Sequence, residues 1–219
     1  MEIRYFKHYS SHLNRDMEFK VYGHAGKPVL FFPCQGGRFF DFENFGMDNR
    51  WRIENHERWF NYIVNELVPY IRHLSGERNG FDQPIMTFGC SMGAMHAANL
   101  FFRRPDLFDK VFAISGLYDS RDSFGDYMDD LIYANSPVNY LNDMPHDHYY
   151  IDMYNHRKIL IVVGQGAWEG PLVASTAWLD SVLRNKGIRA QVDYWGHDVH
   201  HDWCWWFKMV EHYVPQLLG

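Results

Sequence analysis

The sequence predicts an α/β fold, with a mostly parallel sheet of about seven strands and helices on both of its faces. Three observations predict it. Short, unbroken apolar runs recur along the chain, as "KPVLFFPC", "QPIMTFGC", "DKVFAISG" and "RKILIVVG". Such runs are what strands buried on both faces of a parallel sheet look like. Stretches with apolar residues at helical spacing lie between them, so the order is strand, helix, strand, as in βαβ units. The length, 219 residues, suits one domain with a full core. The expectation is therefore a single domain over 1–219.

The elements follow in order. "IRYFKHYS" and "MEFKVYGH" alternate apolar and polar residues, which predicts two half-exposed strands of an opening hairpin. "KPVLFFPC" is the first buried strand, stopped by Pro33. Over 56–71, Trp59, Ile63, Leu67 and Ile71 recur at every fourth position and predict a helix with one apolar stripe. "QPIMTFGC" is a strand, and the helix after it, 93–103, carries Ala94, Ala97 and Ala98, small enough to let it lie close to a sheet. "DKVFAISG" and "RKILIVVG" are the next strands. Residues 118–157, between them, are rich in Asp, Tyr and His and show no periodicity. A connection that long is usually functional, and it reads as a cap-like loop insertion over one end of the sheet. A helix over 172–186 ends at Gly187, a suitable residue just beyond a helix. "AQVDYWG" is a last strand. The closing helix, 203–217, sets Trp206, Val210, Tyr213 and Leu217 on one face.

Composition narrows the function classes. Hydrophobic residues make up 47% and charged residues 22%, ordinary for a globular chain, whereas the aromatic share of 18% is high and points to a ring-rich core or cleft. The net charge of −6, with no cluster of Lys and Arg, argues against nucleic acid as a partner. Cys34, Cys90 and Cys204 make an odd count without a CxxC pair, as expected of thiols in a reducing compartment. The N-terminal residues carry charge from position 2 and contain no apolar leader, and no window is apolar enough to span a membrane. These features predict a cytoplasmic protein without membrane partner, and a homo-oligomer is compatible with them.

The chemistry centres on "TFGCSMGAMH", in which Ser91 stands between Gly89 and Gly93. A chance G-x-S-x-G occurs in roughly several per cent of chains this long, so context decides. Ser91 follows a buried strand directly and opens a helix directly, the setting of a nucleophile elbow. The turn must be tight, and bulk at Gly89 or Gly93 is expected to strike adjacent strands. The helix N-terminus favours a developing oxyanion, with the Met92 N–H as one donor. A second donor belongs in the loop after the first buried strand, where Gly36 and Gly37 permit close backbone approach. A serine nucleophile needs a base, and elbow enzymes run in the order Ser, acid, His. "YWGHDVHHDWCWW" follows the last strand and offers His197, His200 and His201. The loop after "KILIVVG" holds one carboxylate, Glu169; Asp119 and Asp198 are the alternative acids. Histidines this dense can also bind zinc, but the spacing matches no metallohydrolase signature, so no metal is expected.

"LFFPCQGGRFFDFENFGM", "GCSMGAMHAANLFFRRPDLF", "ANSPVNYL" and "HDWCWWFKMVEHYVPQL" together resemble the esterases of the esterase D-like family, within the α/β-hydrolase superfamily. The resemblance covers almost the whole chain and is most specific at the elbow and at the His-Asp-Trp-x-x-Trp ending. It implies an α/β-hydrolase fold, a Ser-His-acid triad and no cofactor. It maps the nucleophile to Ser91 and the base to His201, the histidine followed by Asp-Trp. Two departures stand out. The family's Asp aligns with Ala167, so Glu169 takes the acid role from a shifted position. The family's fourth strand is missing, since only about twenty residues, without a β run, separate "GGRFF" from the helix ending in "NELVPYIR". The resulting expectation is a serine carboxylesterase acting on small acyl esters or thioesters. The alternatives are acyl transfer on the same triad and a catalytically impaired hydrolase-fold binding module.

Overall fold

The computed structural model describes residues 2–32 and 49–218. The described residues gather into two compact units, 2–28 with 49–85 and 29–32 with 86–218.

In the first unit, β1 (Ile3–Ser10) and β2 (Arg15–Tyr22) pair antiparallel in a sheet of their own, from Ile3 opposite Tyr22 to Ser10 opposite Arg15. The alternation in the sequence is the physical cause: Phe6 and Phe19 stand opposite each other and stack at 5.1 Å, with Tyr70 edge-on to Phe6. Glu66 ties down the turn, accepting from the backbone N–H groups of Ser11 and His12 and from the Ser11 hydroxyl. Burial pushes the Glu66 carboxyl up, but these hydrogen bonds outweigh it and leave the group below its ordinary range. The predicted helix is longer than its stripe. It comprises α1 (Asn49–Tyr62), a wide π-type turn (Ile63–Leu67) and α2 (Val68–Asn79). Pro69 explains the wide turn, because its missing N–H and its ring are incompatible with a regular bond to the preceding turn.

The second unit holds a five-stranded sheet in the order β3 (Val29–Phe32), β4 (Ile85–Cys90), β5 (Phe108–Ile114), β6 (Lys158–Val163), β7 (Gln191–Tyr194). The pairs β3–β4, β5–β6 and β6–β7 run parallel. The helices are α3 (Met92–Arg103), α4 (Arg121–Phe124), α5 (Asp130–Ala134), α6 (Pro137–Asp143), α7 (Tyr149–Asn155), α8 (Gly170–Asn185) and α9 (Trp203–Leu218). Alternation divides each strand between two layers. Met86, Cys90, Phe112, Ile114, Leu160 and Val162 pack with Trp206, Met209, Tyr213 and Leu217 of α9. On β4 the intervening Thr87 faces α3 instead, its hydroxyl donating to the Ala97 carbonyl at 3.0 Å, and Ala94, Ala97 and Ala98 are fully buried. Lys110 and Lys158 reach the carbonyls of Leu217 and Gln216 and so satisfy the end of α9.

Three expectations change. β3 is not buried on both faces: Val29 and Phe31 are exposed, because β3 is the edge of the sheet among the described residues. The expected sheet of about seven strands is, among the described residues, a sheet of five with the hairpin forming a sheet of its own, while 49–79 is helical, in keeping with the missing strand. Residues 118–157 carry four short helices, α4 to α7, and Tyr118, Ile132, Val138, Leu141 and Tyr154 within the stretch are completely buried. At four to seven residues each, these helices are too short to print an apolar stripe on the sequence.

Candidate active site

Ser91 sits at the junction of β4 and α3 with φ 57° and ψ −125°, in the left-handed half of conformational space that side chains rarely enter. Its N–H donates to the Ile114 carbonyl at 2.8 Å, while its own carbonyl accepts from Ala94 and Met95 and starts the helix. Gly89 makes the turn possible. A Cβ there would overlap the Gly93 carbonyl and lie 2.8 Å from the Ala94 nitrogen. The obstacle is the first turn of α3, not the adjacent strands that the sequence suggests. Met92, the first residue of α3, presents an N–H ahead of the intrahelical bonds.

The His201 Nε2 lies 2.9 Å from the Ser91 Oγ, and the His201 Nδ1 lies 3.3 Å from the Glu169 Oε1. A hydroxyl, an imidazole and a carboxylate are thus in line. The His201 side chain is 20% exposed and that of Glu169 is fully buried, so the chain of contacts runs from an accessible serine into the interior. The ring of His201 stands edge-on to Trp206, 4.8 Å between centroids.

The loops after β6 and β7 hold one another. Gly166 N–H donates to the Val199 carbonyl, Gln165 N–H to Gly196, Ala167 N–H to the His200 Nδ1, and His201 N–H to Ala167. Gly164 and Gly166 allow the approach: a Cβ at either would come within 2.6 Å of the Val199 carbonyl oxygen. Glu169 then leads into α8, where the helix N-terminus favours its negative charge. Trp168, just before it, has a left-handed φ of 69° and is exposed.

Ser115, which the sequence reading passes over, belongs to this constellation. It is completely buried at the end of β5, has φ 54°, and donates its hydroxyl to the Glu169 Oε1 at 2.7 Å. The only outward signal is its place: a small polar residue before glycine at the C-terminal end of the strand beside the elbow strand. Below it, Tyr118 is fully buried, its ring where a Cβ on Gly116 would stand. Burial chiefly, and the Glu169 charge to a lesser degree, push the Tyr118 phenol far above its ordinary range, so it stays neutral.

Of the residues named from the sequence, Ser91, His201 and Glu169 come together and Met92 adjoins them. Asp119 turns instead to Arg121, accepting from its N–H and pairing with its guanidinium. Asp198 is exposed, beside Gly196. His197 and His200 are exposed. Gly36, Gly37 and Cys34 lie outside the described residues. Cys90 is buried in the core and Cys204 is exposed. Among the described residues no three His, Cys, Asp or Glu side chains are grouped to hold a metal ion, and no helix is long and apolar enough to cross a membrane.

The family described as "Putative esterase" matches residues 35–214. No curated protein sequence matches the chain. Among solved structures, a ferulic acid esterase is similar with a TM-score of 0.69 at 17% identity, over 99% of this chain and 98% of that one. An S-formylglutathione hydrolase from Agrobacterium tumefaciens follows with a TM-score of 0.70 at 14% identity, over 99% and 95%. The fluorophosphonate-binding serine hydrolase F of Staphylococcus aureus has a TM-score of 0.66 at 12% identity, over 100% and 98%. At these identities the likeness is one of fold, the α/β-hydrolase fold.

Proposed function

This chain belongs to the esterase family, and from that membership we propose that it is a serine carboxylesterase in which Ser91 is the nucleophile, His201 the base and Glu169 the acid. As a member of the family it is a carboxylic ester hydrolase. The observation that carries the finer reading is the unbroken line from Ser91 Oγ through the His201 ring to Glu169, at 2.9 and 3.3 Å.

His201 Nε2 accepts the Ser91 proton as Oγ attacks the ester carbonyl. The Glu169 carboxylate keeps Nδ1 protonated, so that Nε2 faces the serine as acceptor, and it stabilises the imidazolium. The oxyanion forms at the start of α3, where the Met92 N–H and the helix dipole oppose its charge; the sequence alone nominates Gly37 or Gly36 for the second N–H. The imidazolium then protonates the leaving alcohol or thiol. Water, deprotonated by the same nitrogen, releases the acid from Ser91.

The substrates are small acyl esters or thioesters. The structural neighbours support that class, since their names span a ferulic acid ester and an S-formyl thioester. A fluorophosphonate probe should label the protein at Ser91, the adduct being located by peptide mass spectrometry, and Ser91→Ala should lose both the label and p-nitrophenyl acetate turnover. A folded wild-type protein that takes no label and shows no turnover would sink the reading.

A further inference from the structure

We propose that Ser115 is a positioning residue for the reaction: its hydroxyl fixes Glu169 Oε1 at the point where His201 Nδ1 meets it. The inference rests on the reading of Ser91, His201 and Glu169 given above.

The hydrogen bonds themselves make the first argument. The Glu169 carboxylate is fully buried, and both of the contacts it receives converge on one oxygen, Oε1: the Ser115 hydroxyl at 2.7 Å and His201 Nδ1 at 3.3 Å. Among the described residues, Oε2 has no hydrogen-bond partner. Ser115 therefore makes the shorter of the two bonds to a charge that has few. A glutamate also has three side-chain torsions to restrain, and one contact at 3.3 Å restrains them poorly. A hydroxyl bonded to a carboxylate is the stronger restraint.

Backbone strain is the second argument. Four non-glycine residues among those described have left-handed φ: Asn14, Ser91, Ser115 and Trp168. Asn14 lies in the hairpin turn, where such geometry is ordinary. The other three surround the site. Ser91 and Ser115 also share one construction. Each ends a strand, and each donates its N–H to the neighbouring strand, Ser91 to Ile114 and Ser115 to Val162 at 2.7 Å. Backbone in this region is costly for a serine, and it persists where the surroundings enforce it, which is typical of functional sites. At Ser91 the turn aims a nucleophile. At Ser115 a left-handed residue, one strand along, aims a donor at the acid. A fully buried serine hydroxyl needs a partner, and here it finds the carboxylate that meets His201 Nδ1.

The test is a double-mutant cycle on p-nitrophenyl acetate hydrolysis, with Ser115→Ala, Ser115→Gly, Glu169→Ala and Ser115→Ala/Glu169→Ala. Ser115→Ala and Ser115→Gly remove the same hydroxyl but act oppositely on the backbone, since glycine relieves the left-handed strain. Both should lower kcat about tenfold with KM unchanged. In the Glu169→Ala background, Ser115→Ala should change kcat by less than about twofold, because the residue acts only through the carboxylate. An equal loss in both backgrounds overturns the proposal. So does a loss in Ser115→Ala that Ser115→Gly does not share, which would trace the effect to the backbone; Ser115→Gly also covers the case in which the alanine variant fails to fold. If Glu169→Ala loses activity while both Ser115 variants keep theirs, Ser115 has no part and the Ser91–His201–Glu169 reading stands. If Glu169→Ala is fully active, the acid assignment and this proposal fail together.

Discussion

A buried carboxylate in line with an imidazole has opposite consequences for turnover and for folding. Glu169 is fully buried with one oxygen unpartnered among the described residues, and such a charge costs stability unless its bonds are complete. Glu169→Gln keeps the shape and removes the charge. Its amide must face the protonated Nδ1 with either an oxygen that carries no charge or an NH2 that repels it. We expect kcat to fall by about three orders of magnitude, while the thermal midpoint stays level or rises. A parallel fall in both, read from initial rates and a melting curve, would mean that Glu169 is structural. At this scale, chain order exposes much of the site in advance. A serine after one buried strand, a carboxylate after another and a histidine after the last are legible because the ends of parallel strands share one edge of the sheet. Ser115 is not legible in that way. Its part depends on a φ of 54° and a 2.7 Å contact across 54 positions of sequence, and neither leaves a pattern in composition or spacing. The choice among His197, His200 and His201 is equally invisible to spacing, and the motif around His201 had to supply it.

The loops after β6 and β7 behave as one clamp, so their glycines should divide sharply by position. A Cβ on Gly166 would overlap the His200 ring and crowd the Val199 carbonyl, whereas a Cβ on Gly170 meets nothing within 4 Å. Gly166→Ala should part the loops that carry Glu169 and His201 and lower kcat by about tenfold to a hundredfold. Gly170→Ala, at the first position of α8, should leave kcat alone and raise stability by about 0.5 kcal/mol. Equal activity in the two variants would show that the loops tolerate separation. The same loops rest on β7 and α9, which Tyr213 joins. It donates to Asp193 at 2.6 Å and accepts from Trp195 Nε1 at 3.0 Å. Burial first, then the bond to Asp193, push its phenol up to about 12. The sign follows directly. An unfolded tyrosine loses its proton near 10, so between 10 and 12 only the unfolded chain gains by ionising. The contribution of Tyr213 is complete below pH 10 and disappears as pH climbs toward 12. Tyr213→Phe should be less stable than the wild type by about 1–2 kcal/mol at pH 8, and the gap should close in urea titrations above pH 10. At the scale of elements, the hairpin strands and the long helices are legible from period, and the buried strands from their unbroken apolar runs. The helices α4 to α7 are not, being too short for a stripe, and the exposure of β3 follows from its place at the sheet edge, a tertiary fact.

In the second unit the core and the site share one helix. α9 contributes Trp206, Met209, Tyr213 and Leu217 to the layer over β4, β5 and β6, and His201 stands two residues before α9 begins. The histidine is thus placed by the seating of that helix, and within it by one wall, the ring of Trp206. These two roles are separable. Met209 is fully buried in that layer, so Met209→Ala should open a cavity and cost about 2–5 kcal/mol. Its kcat, measured well below its melting point, should match the wild type. Trp206→Ala should cost about 3–5 kcal/mol by the same cavity mechanism. It should in addition lower kcat about tenfold or more, because the imidazole then rotates away from Ser91 and the 2.9 Å contact is lost. Denaturant unfolding gives the first quantity for each variant and initial rates on folded protein give the second. If Met209→Ala slows turnover as much as Trp206→Ala does, the seating of the whole helix, and not the one ring, orients His201. If neither slows it, the contacts with Glu169 and the backbone bond from His201 N–H to Ala167 are sufficient to hold the imidazole in line.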